Sequence, residues 1–209
     1  MAQLQWEKLN QQEAVRVLDQ LSARPDAIVF SRAVTEVSKR NLSFYSRYRL
    51  CRLINFATMP TFSMTYLTDG TDFIGIDGTP GLIYAVNRKD PIALTEANVV
   101  DYIEFFFSSV QGLDGDVFLI KDPKHMPFMD ILTPEQRQGF TGCFQPVRIS
   151  TDSTGTFEVN ATVYYGGGLI KAVVQVTPEG KISFHDQSLL LSGIHFPHNP
   201  HSQSWLEGQ

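Results

Sequence analysis

The chain has 209 residues, of which 43% are hydrophobic, 19% charged and 11% aromatic, with 15 Phe, so it can bury a core built from large rings. No stretch supplies the ~18 uninterrupted apolar residues of a membrane helix, and the start Met-Ala-Gln-Leu-Gln-Trp-Glu-Lys lacks the basic and apolar blocks of a signal peptide; the expected setting is cytoplasmic, without a membrane partner. The net charge of −5 is uneven, with nine Lys/Arg against five Asp/Glu in residues 1–55 and eight against seventeen in the remainder, which disfavours broad nucleic-acid binding but leaves room for a local basic site.

Asn10 and Glu13 have the spacing of a capping box, and Ala14, Val17, Leu18 and Leu21 form an apolar stripe behind them. This predicts a first helix, with Trp6 and Leu9 placed to staple its start. Arg24-Pro25-Asp26 ends that helix. The spacing of Val29, Ala33 and Val37 then predicts a second one, since Pro is tolerated in a first turn. A strand is expected from about Tyr48 to Phe56, ended by Met59-Pro60. Phe62–Leu67, Phe73–Ile76 and Leu82–Val86 read as three further strands. They are separated by Asp69-Gly70 and Asp77-Gly78-Thr79-Pro80-Gly81, where Gly permits sharp reversal.

Thr95 opens a helix to about Val110. Val99, Val100, Tyr102, Ile103, Phe105, Phe106 and Phe107 make it apolar over most of its surface, so it is expected between the two β regions or at a subunit interface. Phe118–Ile120 reads as a short strand. Residues 122–144 read as irregular, interrupted by Pro123, Pro127 and Pro134, with a helical turn or two after Thr133-Pro134-Glu135. From Thr156 to Leu191 the pattern is plainest. Phe157, Val159, Ala161, Val163 and Tyr165 alternate with Glu158, Asn160, Thr162 and Tyr164, and Ile170, Ala172, Val174 and Val176 continue the alternation beyond Gly166-Gly167-Gly168. This period of two, with reversals at the glycines and at Pro178-Glu179-Gly180, predicts a three-stranded antiparallel meander.

The expected class is therefore α+β: antiparallel sheets packed against a central buried helix, two N-terminal helices and a C-terminal meander. Residues 1–194 are expected to form one unit, divisible into lobes 1–111 and 112–194, followed by a His- and Pro-containing tail, 195–209.

Candidate chemistry is sparse. Cys51 and Cys143 fit no metal spacing and read as reduced thiols. His195, His198 and His201 are spaced three apart, but Pro197 and Pro200 prevent them from lining one helical face. Neither glycine-rich stretch carries a phosphate-loop pattern. No metal or cofactor is expected. Lys39, Arg40, Arg47, Arg49 and Arg52 gather without an intervening acid and are interleaved with Phe44, Tyr45 and Tyr48, a composition suited to phosphates or stacked rings. Arg47, Tyr48, Arg49 and Arg52, with Tyr164 of the meander, are the candidate ligand-binding residues. Asp122, His125 and His185 are the candidate acid–base groups, although no nucleophile motif completes a triad. The leading expectation is a non-enzymatic small-molecule-binding or protein-interaction domain, with a homodimer in view. The alternatives are a small acid–base hydrolase using Asp122, His125 and His185, or a phosphate- or nucleic-acid-binding protein acting through residues 39–52.

Overall fold

A computed structural model describes residues 5–111, 115–123, 126, 129 and 132–192. Over these residues the protein is α+β, with two antiparallel sheets, four α-helices and ten strands. The chain divides into two compact units, residues 1–77 with 89–93 and residues 78–88 with 94–209.

The first unit is a five-stranded sheet in sequence order. Its strands are β1 (Glu7–Lys8), β2 (Thr35–Asn41), β3 (Arg49–Asn55), β4 (Phe62–Thr68) and β5 (Phe73–Gly75). Helix α1 (Gln11–Leu21) packs on one face. It starts with the capping box: Asn10 Oδ1 accepts from the Glu13 amide at 3.0 Å, and Glu13 Oε2 accepts from the Asn10 amide at 3.2 Å. Leu18 and Leu21 of the helix meet Val37, Cys51, Leu53, Tyr66 and Phe73 of the sheet in one core. That face is the odd-numbered side of β2 and β3, as strand alternation requires.

The second expected N-terminal helix is a single 3-10 turn, Pro25–Ala27, followed by strand β2. The stripe of Val29, Ala33 and Val37 misleads for a simple reason. A spacing of four residues satisfies a helical face and a strand face alike, since four is also a multiple of two.

The second unit is built on the meander, with β8 (Phe157–Tyr165), β9 (Gly168–Val176) and β10 (Ile182–Leu191) hydrogen-bonded in order. Gly166 and Gly167 form the two-residue reversal between β8 and β9 at φ +54° and +91°, a pair of positive values that side-chain-bearing residues resist. Along its other edge β8 receives two short strands, β6 (Val117–Ile120) against residues 162–165 and β7 (Arg148–Thr151) against residues 157–160. Phe157, Val159, Ala161, Val163, Ile170, Ala172, Val174 and Val176 are all buried. The opposite face is not uniformly wet. Helix α4 (Pro134–Cys143) brings Phe140 into a second core with Ile120, Leu132, Tyr164 and Leu169. The irregular stretch thus contains a ten-residue helix, capped by Thr133 and Gln136.

Helix α3 (Val99–Ser109) buries Val99, Tyr102, Ile103, Phe105, Phe106 and Ser109. The expected strand Leu82–Val86 is instead part of α2 (Pro80–Lys89), whose buried residues Ile83, Val86 and Asn87 follow helical spacing. Pro80 starts that helix, where its missing amide costs nothing. Asn87 Nδ2 donates to Tyr102 Oη and to the Glu179 carbonyl, each at 3.0 Å, and Tyr102 Oη donates to the Gly180 carbonyl at 2.7 Å. Helices α2 and α3 are thereby tied to the β9–β10 turn. Among the described residues, no helix is long and apolar enough to cross a membrane.

Candidate functional site

The basic cluster of residues 39–52 is compact in sequence but dispersed in space. Arg47 and Tyr48 lie at the end of the β2–β3 connector, which is held by the buried carboxylate of Asp90. Asp90 accepts from Ser46 Oγ at 2.7 Å, the Arg47 amide at 2.8 Å and the Tyr48 amide at 3.2 Å, with Arg47 Nε at 3.6 Å. Burial opposes the charge on Asp90, but the Ser46 hydroxyl and the two amides outweigh it and hold the carboxyl below its ordinary pKa. The Tyr48 hydroxyl donates to Asp72 at 3.3 Å, and Lys89 Nζ reaches the same carboxylate at 2.7 Å. These groups brace a loop.

Arg49 and Arg52 are three apart on β3 and so project from opposite faces. Arg52 lies over the Trp6 ring at 4.1 Å. Arg40 Nε is buried without a hydrogen-bond partner among the described residues. Tyr164 belongs to the second unit, buried in the core beneath α4 and stacked on Phe118 at 4.8 Å. Within the first unit, Arg47 and Tyr48 share the Asp90 frame, and Tyr48 and Arg49 both reach the β4–β5 turn, at Asp72 and Gly70.

Of the acid–base candidates, Asp122 is partly buried after β6. His185 sits exposed on β10, its Nε2 3.1 Å from Ser183 Oγ two residues before it. His125, His195, His198 and His201 lie outside the described residues. Other acids in the first unit hold turns or pair locally. Asp26 takes a two-pronged contact from Arg24 at 3.0 Å, and that bond holds its carboxyl below the usual range. Asp69 is drawn down to about 2 by the amides of Asp72 and Thr71 in the β4–β5 hairpin.

A different feature emerges at one end of the first sheet. Ile28, Val29, Phe56, Met59 and Phe62 are exposed by 80%, 43%, 61%, 97% and 45%. Large apolar side chains scattered singly on a surface need no explanation, but a contiguous group does. The two segments that carry them are tied at Asn55, the last residue of β3 and itself buried. Its Nδ2 donates to the Val29 carbonyl at 2.6 Å, and its Oδ1 accepts from the Ala57 amide at 2.8 Å. Thr58 Oγ1 donates to the Asn55 carbonyl at 3.3 Å and accepts from the Phe62 amide at 3.0 Å. The Phe56 amide donates to the Val34 carbonyl at 3.2 Å, and the Phe30 and Phe62 rings stand 5.5 Å apart. Both the β3–β4 hairpin and the segment leading into β2 are therefore fastened to one frame. These hydrogen bonds fix main-chain groups of Val29, Phe56, Ala57 and Phe62.

Beside Phe56 lies an open hollow of about 440 Å³, walled by Ala33, Val34, Phe56 and Ala57, with Thr35 and the Lys8–Glu36 ion pair completing it. A smaller hollow of about 190 Å³ shares Lys8, Thr35 and Glu36 and runs along Ala14 and Leu18 of α1. Thr35 Oγ1 is buried without a hydrogen-bond partner among the described residues.

Two sequence signals point to this end. Ile28-Val29-Phe30 is an apolar run outside any helix or strand, and the β3–β4 connector carries Phe56 and Met59 where polar turn residues are usual. The chain matches no family model, no curated protein and no solved structure.

Proposed function

We propose that this protein is a non-enzymatic protein-interaction module that binds through the apolar end of its first unit. The observation that carries the reading is the set of five large apolar residues exposed on the two segments tied at Asn55, beside a hollow. At roughly 150–200 Å² per large residue, the exposed fractions leave roughly 500–650 Å² of these five residues in water. That lies in the upper part of the range for the largest patch on a typical monomer, about 300–600 Å², and reaches just beyond it. The hydrogen-bonded backbone supports the same reading, because main chain already ordered loses less conformational entropy when covered. The acids of this unit whose pKa values are displaced, Asp26, Asp69 and Asp90, are engaged in local structure, which leaves recognition as the use best suited to this end.

A photo-cross-linking scan in cells tests the proposal. Benzoylphenylalanine at position 59 or 56 is expected to give discrete protein adducts, and the same group at the exposed Ser150 of β7 is not. Equal, diffuse labelling at all three positions overturns the reading.

A further inference from the structure

We infer that the occupant of this apolar end is a second copy of the same chain, in a two-fold dimer where Met59 of each protomer enters the hollow beside Phe56 of the other. The inference rests on the interaction reading above and adds the identity of the partner.

Three observations carry it. The end holds both halves of a self-complementary contact, a projecting Met59 and an open hollow of about 440 Å³ walled by Ala33, Val34, Phe56 and Ala57. A two-fold interface requires that pairing, since each protomer's knob must meet the other's hole. A methionine side chain is long, flexible and polarizable, so it adapts to irregular apolar space.

The second observation is area. Complete burial of the five residues in both copies removes at most roughly 1,000–1,300 Å² in total, which reaches the ~1,000 Å² that a specific interface needs. The third is charge. The first unit carries ten Lys/Arg against nine Asp/Glu, a balance of +1, whereas the second carries seven against thirteen, a balance of −6. The five exposed side chains are uncharged, and the Lys8–Glu36 pair beside them is internally neutralised. Like copies can meet at this end without strong repulsion.

Sedimentation equilibrium of the purified full chain across the micromolar range is the test. The wild type is expected to be dimeric, with Met59→Asp weakening the dimer by a factor of at least about ten, the loss expected for a central anchor. Ser150→Asp is expected to change nothing. Because Met59 is almost wholly exposed, its substitution leaves folding intact, which an unchanged thermal midpoint verifies. In a Cys143→Ser background, a tagged Met59→Cys chain mixed with an Ala33→Cys chain should cross-link in trans under mild oxidation. A Met59→Cys chain mixed with Ser150→Cys should not.

A chain that stays monomeric at the highest concentration, or a dimer indifferent to Met59→Asp, overturns the inference. If the chain is monomeric and the position-59 photo-adduct contains a different protein, self-pairing falls and the interaction reading stands. If position 59 gives no adduct, both fall. Binding of the monomer to phosphatidylcholine vesicles that is lost in Met59→Asp overturns both in favour of a lipid surface.

Discussion

Replacing Asn55 with Ala removes the frame without touching the exposed side chains. The substitution deletes the donor to the Val29 carbonyl and the acceptor for the Ala57 amide. A buried polar group left unsatisfied costs about 1–3 kcal/mol. Val29 and Ala57 are exposed residues, so both freed backbone groups can regain water in part, which places the summed cost near 2 kcal/mol. With a urea m-value of about 1–3 kcal/mol/M, the midpoint should fall by about 1 M with the slope unchanged. Trp6 fluorescence follows this unit, since its ring lies beneath Arg52. Asn55→Asp sharpens the test. An ionised carboxylate still accepts from Ala57 but sets an oxygen against the Val29 carbonyl, so it should be at least as damaging as Ala near neutral pH. Protonation restores a donor. The folded-state pKa of the new carboxyl is then raised above its unfolded value, so its protonated form stabilises the fold below the unfolded pKa, and that stability disappears as pH rises through the folded value. Relative to wild type, the Asp variant should therefore recover in acid. A midpoint shift under about 0.2 M for Asn55→Ala, or no acid recovery for Asn55→Asp, would refute the role given to this residue.

Asp90 predicts a pH dependence of opposite sign. Its folded pKa is depressed, so the stability it supplies is present above the unfolded value of about 3.9 and is lost as pH falls through the folded value. Asp90→Asn should cost about 1.5–3 kcal/mol at neutral pH, and the deficit should shrink in acid denaturation curves; a constant deficit from neutral pH to below pH 3 would sink this account. The two thiols should react unequally. Burial pushes Cys51 up to about 12 and shields it, whereas Cys143 is half-buried near the end of α4. A thiol reagent should thus modify Cys143 in the native protein and Cys51 only on unfolding; rapid native labelling of both would contradict the first core.

Much of the architecture was legible from residue spacing. The capping box at Asn10 and Glu13 and the alternation through β8 and β9 are local signals that packing reinforces. The second expected N-terminal helix and the expected strand at Leu82–Val86 do not form, because short apolar spacings fit more than one period until burial selects one. The candidate site was less legible. Arg47, Arg49 and Arg52 are neighbours in sequence, but a loop and a pleated strand send them in different directions. Tyr164 falls on the nominally polar face of the meander, yet α4 covers that part of the sheet. The apolar end depends on hydrogen bonds between residues 26 apart, from Asn55 to Val29, and no local pattern encodes such a pairing.

The most direct test of the interaction account is the methyl NMR spectrum of the chain labelled at its 5 methionines. On addition of the captured partner, or on raising the chain's own concentration if the partner is a second copy, the Met59 resonance is predicted to shift or broaden, while that of Met64, packed against the first core, stays in place. A Met59 signal that remains sharp and unmoved under both conditions would contradict the account.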